Sequence, residues 1–154
     1  MTIDASPLRT TEPMMKSRTP AVDAPRRYPH TVLVVDDDPS VRTLLEMVLE
    51  VEGFEVRCAA DAEQALEMIA EKRPDVLLVD VMMPGRDGRA LTRQLRTDPA
   101  TKDLPIVICS GLADDPSQWQ AWAAGANSFV PKPFDIDRLL SEMADAHAAA
   151  VTAV

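Results

Sequence analysis

Hydrophobic and polar positions divide residues 31–150 into short apolar runs and longer stretches with helical spacing. Residues 31–35 (TVLVV), 75–79 (DVLLV) and 105–109 (PIVIC) are apolar at nearly every position, and residues 54–58 (FEVRC) and 128–130 (SFV) are predicted as two further strands. Strands that are apolar on both sides of the pleat are typical of parallel sheets covered by helices on both faces. The pattern therefore predicts a buried, parallel, five-stranded sheet.

Five helices are predicted between and after these strands. The first begins at Pro39 and ends at Gly53, and its predicted inner face comprises Val41, Leu44, Leu45, Val48 and Leu49. Asp61 is predicted to cap the second helix, which ends before Pro74, and the remaining helices are predicted over residues 87–96, 115–125 and 135–150. Alternating strands and helices with right-handed crossovers predict a doubly wound α/β fold.

Composition changes this picture mainly at the amino terminus. Residues 1–30 hold five of the thirteen prolines and have no sustained periodicity, which predicts a flexible Pro-rich extension before a folded domain at 31–150 and a short tail at 151–154. The formal net charge of the whole chain is −9. Residues 1–30 carry +2, so residues 31–154 carry −11. A domain this acidic is not expected to bind nucleic acid directly.

The sequence predicts a cytoplasmic protein without membrane insertion. No segment has the roughly 20 apolar residues that a membrane-spanning helix needs, and no secretory signal precedes the folded domain. Cys58 and Cys109 both lie in apolar runs, which predicts buried, reduced thiols.

Charged and polar residues lie at or just beyond the ends of four of the predicted strands. Asp36 and Asp37 follow the first strand, Asp80 the third, Ser110 the fourth, and Lys132 lies just after the fifth. In a doubly wound sheet the ligand site lies at the carboxyl ends of the strands, beside the switch point in strand order. We therefore expect these five side chains to converge.

Three clustered carboxylates repel one another unless a cation joins them. Mg²⁺ binds through one or two carboxylates, keeps several waters and accepts phosphate oxygens, so it fits this set. Lys132 and Ser110 are suited to contact a phosphoryl group, and Asp80 is the predicted nucleophile that forms an aspartyl-phosphate. Such a transfer depends on positioning and charge stabilisation and needs no separate general base.

Four segments resemble, in order and spacing, the receiver domain of two-component response regulators (CheY-like). They are VLVVDDDPSVR (32–42), DVLLVDVMMPGRDG (75–88), LPIVICSG (104–111) and GANSFVPKPF (125–134), and the resemblance covers residues 31–150. It implies a flavodoxin-like fold with strand order 2-1-3-4-5.

The resemblance also implies a role for individual residues. Asp80 would be the phosphoacceptor, with Mg²⁺ held by Asp36, by Asp37 directly, and by the backbone carbonyl of Met82. Ser110 would be the switch hydroxyl, Phe129 the aromatic residue that turns inward, and Lys132 the phosphate-binding lysine. Other residues match the family pattern but have no chemical role. Pro84 and Gly88 match the loop after the acceptor, Asp38 lies at a helix N-terminus, and the Lys132–Pro133 bond is expected to be cis.

The implied function is to take a phosphoryl group from a sensor histidine kinase or a histidine phosphotransfer protein. The chain would then signal to a downstream protein, or pass the group along a relay, through the surface of the fourth helix, fifth strand and fifth helix. We expect a stand-alone receiver that is a monomer or a weak dimer through that surface, and not an enzyme that turns over an external substrate.

Two alternatives stay open at this point. One is a degenerate receiver that acts only as an interaction module, although the full set of acids, hydroxyl and lysine is present. The other is a phosphatase with an aspartyl-phosphate intermediate, which would need a second acid where Met82 stands. A nucleotide-binding protein is disfavoured, because the DDDPS turn has no glycine-rich phosphate loop.

Overall fold

Five parallel strands form one sheet in the order β2-β1-β3-β4-β5. A computed structural model of the chain describes residues 29–83, 85, 87–111 and 122–152. The strands are β1 (Thr31–Val35), β2 (Glu55–Ala59), β3 (Val76–Asp80), β4 (Ile106–Ser110) and β5 (Ser128–Pro131). The predicted fold class and strand order are thus confirmed.

Helices connect the strands and cover both faces of the sheet. They are α1 (Pro39–Val51), α2 (Ala62–Glu71), α3 (Gly88–Thr97), α4 (described over 122–124 only) and α5 (Ile136–Thr152). Asp38, Asp61 and Asp87 cap α1, α2 and α3, each accepting a hydrogen bond from a backbone N–H in the first turn. The predicted roles of Asp38 and Asp61 are therefore confirmed.

Alternate residues of each central strand pack into two separate core layers. In β1, Leu33 and Val35 face a layer shared with α2 and α3, whereas Val32 and Val34 face a layer shared with α1 and α5. All five positions of β3 and of β4 are buried. This two-sided burial explains why these strands read as continuous apolar runs.

The structure differs from the prediction at several element boundaries and on one helix face. β2, β3 and β4 each begin and end one residue later than predicted, and α5 extends to Thr152. Leu44, predicted on the inner face of α1, is 49% exposed. At about 100° per residue it lies well to one side of Leu45 and Leu49, which are the buried centre of that face.

The two cysteines are free thiols in different surroundings. Cys109 is buried, which raises the pKa of its thiol to about 12. Cys58 is half-buried, so the prediction of a buried thiol is wrong for this residue.

Several predictions concern residues outside the described ranges. They include the extension predicted over residues 1–30, of which only residues 29 and 30 are described, the position of Pro84 and most of the predicted helix over 115–125. None of the helices in the described part of the chain combines the length and apolar composition that crossing a membrane requires.

Candidate functional site

The site lies at the carboxyl edge of the sheet, where β1 and β3 lie side by side. The chain leaves β1 towards β2 on one side and leaves β3 towards β4 on the other, so the strand order switches between them. A crevice forms outside the strand ends at such a point. Asp36 directly follows β1, and Asp80 is the last residue of β3.

Three carboxylates meet in this crevice. One oxygen from each of Asp36, Asp37 and Asp80 lies within 4.8 Å of the other two. Asp36 and Asp80 are 3% and 6% exposed and are the only buried acids among the described residues, whereas Asp37 is exposed. A compact set of hard oxygen donors with one open side suits a small divalent cation that keeps some of its waters.

Lys132 joins the two buried acids. Its Nζ lies 2.8 Å from Oδ2 of Asp36 and 3.5 Å from Oδ1 of Asp80. The N–H of Lys132 donates to the carbonyl oxygen of Ser110 at 2.8 Å, which ties its backbone to the end of β4. The Lys132–Pro133 bond is cis, as the sequence resemblance implies. Residues 96 positions apart thus converge in one pocket.

Burial and mutual charge shift the protonation of this group of side chains. Burial and the neighbouring charge of Asp36 raise the pKa of Asp80, although Lys132 and the backbone N–H of Met82 act to lower it. Burial alone would lower the pKa of Lys132, but its hydrogen bonds and charge interactions with Asp36 and Asp80 outweigh it and raise that pKa. The lysine is therefore held firmly as a cation beside the acids.

Ser110 and Phe129 lie on the neighbouring strands β4 and β5. Ser110 ends β4 and is fully buried. Phe129 pairs with Ile108 in the β4–β5 register, is only 4% exposed and packs in the core layer of α2 and α3. An inward turn of Phe129 requires a side chain that begins outside the core. In this structure the side chain of Phe129 is already buried in the core.

Met82 borders the opening of the crevice. Its backbone N–H donates a hydrogen bond to the Asp80 carboxylate, and the residue is 60% exposed. A cleft of about 470 Å³ opens here, lined by Asp37, Val81, Met82, Met83, Gly85 and Asp87. Solvent therefore reaches the acid cluster from the side of Asp37.

A sequence model described as the response regulator receiver domain matches residues 32–144, which is most of the chain. The chain belongs to this family.

Curated relatives agree with this assignment. Response regulator MprA of Mycobacterium ulcerans is 44% identical over 112 residues, which cover 73% of this chain and 47% of that protein. MprA of Mycobacterium avium is 43% identical over 112 residues, which cover 73% of this chain and 48% of that protein. This receiver chain therefore spans about half the length of the curated relatives it matches.

Solved receiver structures share the fold. The receiver domain of Francisella response regulator 1452 superposes with a TM-score of 0.72 at 30% identity, covering 79% of this chain and 98% of that one. Chemotaxis response regulator CheY4 of Vibrio cholerae gives a TM-score of 0.71 at 31% identity, covering 76% and 98%.

Gly88 of this receiver occupies a position that leaves no room for a side chain. A Cβ atom there would fall inside van der Waals contact with the carbonyl oxygen of Asp80 and 2.7 Å from Cγ1 of Val79. The N–H of Gly88 also donates to the carbonyl oxygen of Val81 at 3.1 Å. Glycine thus lets the start of α3 pack directly on the strand end that presents Asp80.

One contact at the receiver's acid cluster was missed from the sequence. Nη1 of Arg42 donates to the carbonyl oxygen of Asp36 at 2.7 Å. A helical side chain leans towards the N-terminus of its helix, so an arginine in the first turns of α1 can reach back to the end of β1. That geometric rule is the signal that could have identified it.

Proposed function

We propose that this receiver takes a phosphoryl group onto Asp80 from a histidine kinase or a histidine phosphotransfer protein. The observation that carries the proposal is the ammonium group of Lys132 lying between two buried carboxylates, 2.8 Å from Asp36 and 3.5 Å from Asp80. The site collects charge of both signs around the Asp80 carboxylate, and Asp37 and Met82, on either side of it, line a cleft that opens to solvent.

In the proposed reaction, an oxygen of Asp80 forms a bond to phosphorus while the bond from phosphorus to the donor's imidazole nitrogen breaks. The imidazole keeps the bonding electron pair, and Asp80 becomes a mixed anhydride. Mg²⁺, held by Asp36, Asp37, Asp80 and the carbonyl of Met82, would neutralise charge on the phosphoryl oxygens. Lys132 would contact one of those oxygens, and the hydroxyl group of Ser110 another.

The proposed output is a change in the surface of α4, β5 and α5. A phosphoryl group adds negative charge and acceptor oxygens at Asp80, which draws Lys132 and Ser110 towards it. Because Phe129 is already buried beside Ile108, movement of Ser110 would repack Phe129 within the core instead of drawing it in from solvent. The changed surface would then bind a downstream protein or a further relay component.

The chain in this proposal is a phosphoacceptor and not an enzyme with turnover on an external substrate. The kinase, the downstream target, a monomeric or weakly dimeric state and the cytoplasmic location remain predictions. The core of the proposal is covalent chemistry at Asp80.

The test is incubation with acetyl phosphate and Mg²⁺ followed by intact-mass measurement. We expect one phosphoryl adduct per chain that requires Mg²⁺ and is lost in Asp80→Asn. Asp38→Asn is the matched control, because Asn also caps helices well and Asp38 caps α1 outside the acid cluster. Undiminished labelling of Asp80→Asn, or labelling unaffected by a chelator, would refute the proposal, and hydrolysis of many equivalents of donor would favour a phosphatase.

A further inference from the structure

The peptide groups on both sides of Asp37 are held by hydrogen bonds. The group between Asp36 and Asp37 is fixed through its oxygen, which accepts from Nη1 of Arg42 at 2.7 Å. The group between Asp37 and Asp38 is fixed through its nitrogen, which donates to Oδ1 of Asp36 at 2.9 Å. The backbone that carries Asp37 is therefore constrained from both ends.

Asp37 depends on this constraint more than the other two acids do. Asp36 and Asp80 are buried and share the ammonium group of Lys132, whereas Asp37 is exposed. A metal ligand on a freely moving turn would have to be ordered whenever a cation binds, and that ordering weakens binding. A turn that is already ordered avoids this loss.

Arg42 is itself anchored, so it can hold the turn. Its N–H donates to the carbonyl oxygen of Asp38 at 3.1 Å, and its own carbonyl oxygen accepts from Sγ of Cys58 at 3.9 Å. Across the turn, the N–H of Asp36 donates to the carbonyl oxygen of Ala59 at 3.1 Å. The guanidinium group thus joins the first turns of α1 to the end of β1, with β2 supporting both.

We propose that Arg42 is a positioning residue of the cation site and acts through the backbone of Asp37. The inference rests on the proposed function, since it assumes that the acid cluster binds Mg²⁺. It adds a residue that contacts neither the cation nor the phosphoryl group.

Positioning and simple electrostatics predict opposite results when Arg42 is replaced. A guanidinium group is a cation close to a cation site, so by charge alone its removal would strengthen Mg²⁺ binding. As a positioning residue, its removal loosens the turn and weakens binding. Loss of an outer-shell partner of a metal ligand typically weakens affinity about 10- to 100-fold.

The experiment measures Mg²⁺ affinity of the unphosphorylated full chain by isothermal titration calorimetry. We expect Arg42→Met to raise the dissociation constant about 10-fold or more. Arg42→Lys, which keeps the charge and one donor, should recover part of the affinity. Arg57→Met is the matched control: it removes the same charge, and the Arg57 guanidinium likewise donates to backbone carbonyls, those of Met68 and Lys72 at the end of α2.

Each outcome decides between the possibilities. Equal or tighter Mg²⁺ binding by Arg42→Met would overturn the inference. A lower melting temperature of Arg42→Met in chelator, together with an unchanged Mg²⁺ dissociation constant, would also overturn it, because Arg42 would then have a structural role only. If Arg42→Met does not fold, unchanged affinity in Arg42→Gln, which lacks the charge and the reach, would overturn it. A wild-type chain that does not bind Mg²⁺ would remove the proposed cation site itself, a distinct failure.

Discussion

Asp80 lies beside a second buried carboxylate, that of Asp36, and both contact the ammonium group of Lys132. Burial and the charge of Asp36 raise the pKa of Asp80 despite the opposing effects of Lys132 and the Met82 N–H. Folding therefore favours the protonated form of Asp80, and its ionised form destabilises the folded chain. The same unfavourable charge is what makes the pocket attractive to a cation.

Asp80→Asn should stabilise the chain at pH 7 in the absence of divalent cations. Carboxylates within 4.8 Å repel by roughly 3 kcal/mol at an effective dielectric constant of about 20, and Lys132 offsets most of this. We expect a net gain of about 1 kcal/mol in the free energy of unfolding. Chemical denaturation in chelator measures it, and a clear loss of stability would contradict the expected charge balance.

The stabilising effect of Asp80→Asn should depend on pH. The pKa of Asp80 is raised in the folded chain, so its contribution to stability is fully present below the unfolded pKa, near 3.8, and is lost as pH rises through the folded pKa. The difference between wild type and variant should therefore grow from pH 4 towards neutrality and then level off. A difference that instead shrinks over that range would show that Asp80 is stabilised as a carboxylate.

The sequence predicted the acids and the lysine because each follows a strand whose apolar run is easy to recognise. Asp36, Asp37, Asp80 and Lys132 all lie where the strand ends place them. Arg42 was missed because a long side chain on the next helix reaches back over six residues. The burial of Phe129 was not predictable either, since a side-chain rotamer depends on the packing around it.

Elements meet at the site through a direct contact of helix on strand. Gly88 starts α3 against the carbonyl oxygen of Asp80, so the first turn of this helix packs directly on the end of β3. The sequence predicted both elements, but not how closely they approach. The prediction for Leu44 was wrong for a similar reason. The apolar periodicity predicted the helix α1 correctly, but how many of its residues are buried depends on how the helix packs on the sheet.

Gly88→Ala should destabilise the chain by about 1–3 kcal/mol, the usual range for added volume in a packed site. The new methyl group would push α3 away from β3, so phosphoryl labelling of Asp80 should slow as well. Thermal unfolding and the labelling rate measure the two effects.

Gly111→Ala is the matched control for that substitution. Gly111 follows Ser110 at the end of β4, and a Cβ atom there would meet nothing within 4 Å. We expect its stability to change by less than about 0.5 kcal/mol. Similar losses in the two variants would mean that glycine matters for backbone freedom and not for close packing.

On the scale of the whole molecule, the two edges of the sheet carry different groups. The acid cluster occupies the carboxyl edge, and Arg96 joins the loops at the amino edge. Its guanidinium group donates to the carbonyl oxygens of Leu104 and Gly125, both at 2.8 Å, and to Oδ1 of Asn127 at 3.0 Å. These loops lead into β4 and β5, the strands that present Ser110 and Lys132.

Arg96→Met should lower the free energy of unfolding by about 2–4 kcal/mol, because several part-buried carbonyl groups lose a charged donor. Where the variant is folded, stoichiometric labelling of Asp80 should persist, since the acid cluster lies at the other edge. Arg93→Met, an exposed arginine on the same helix, is the control and should change stability little. Loss of labelling in folded Arg96→Met would show that the two edges are coupled.

The overall topology was the most predictable level. Strands that are apolar on both sides, separated by single helices, leave few arrangements once crossovers are right-handed. The order β2-β1-β3-β4-β5 then follows from the resemblance of the four motifs to known receivers, and the structure has that order.

The uneven exposure of the three acids has a kinetic consequence. A hydrated cation that approached through the cleft would meet the exposed Asp37 first, and Asp36 and Asp80 would hold it more deeply. In the proposed function, an ion would therefore reach its first ligand directly from solvent, and its capture by Asp37 should be limited by the ion's own dehydration.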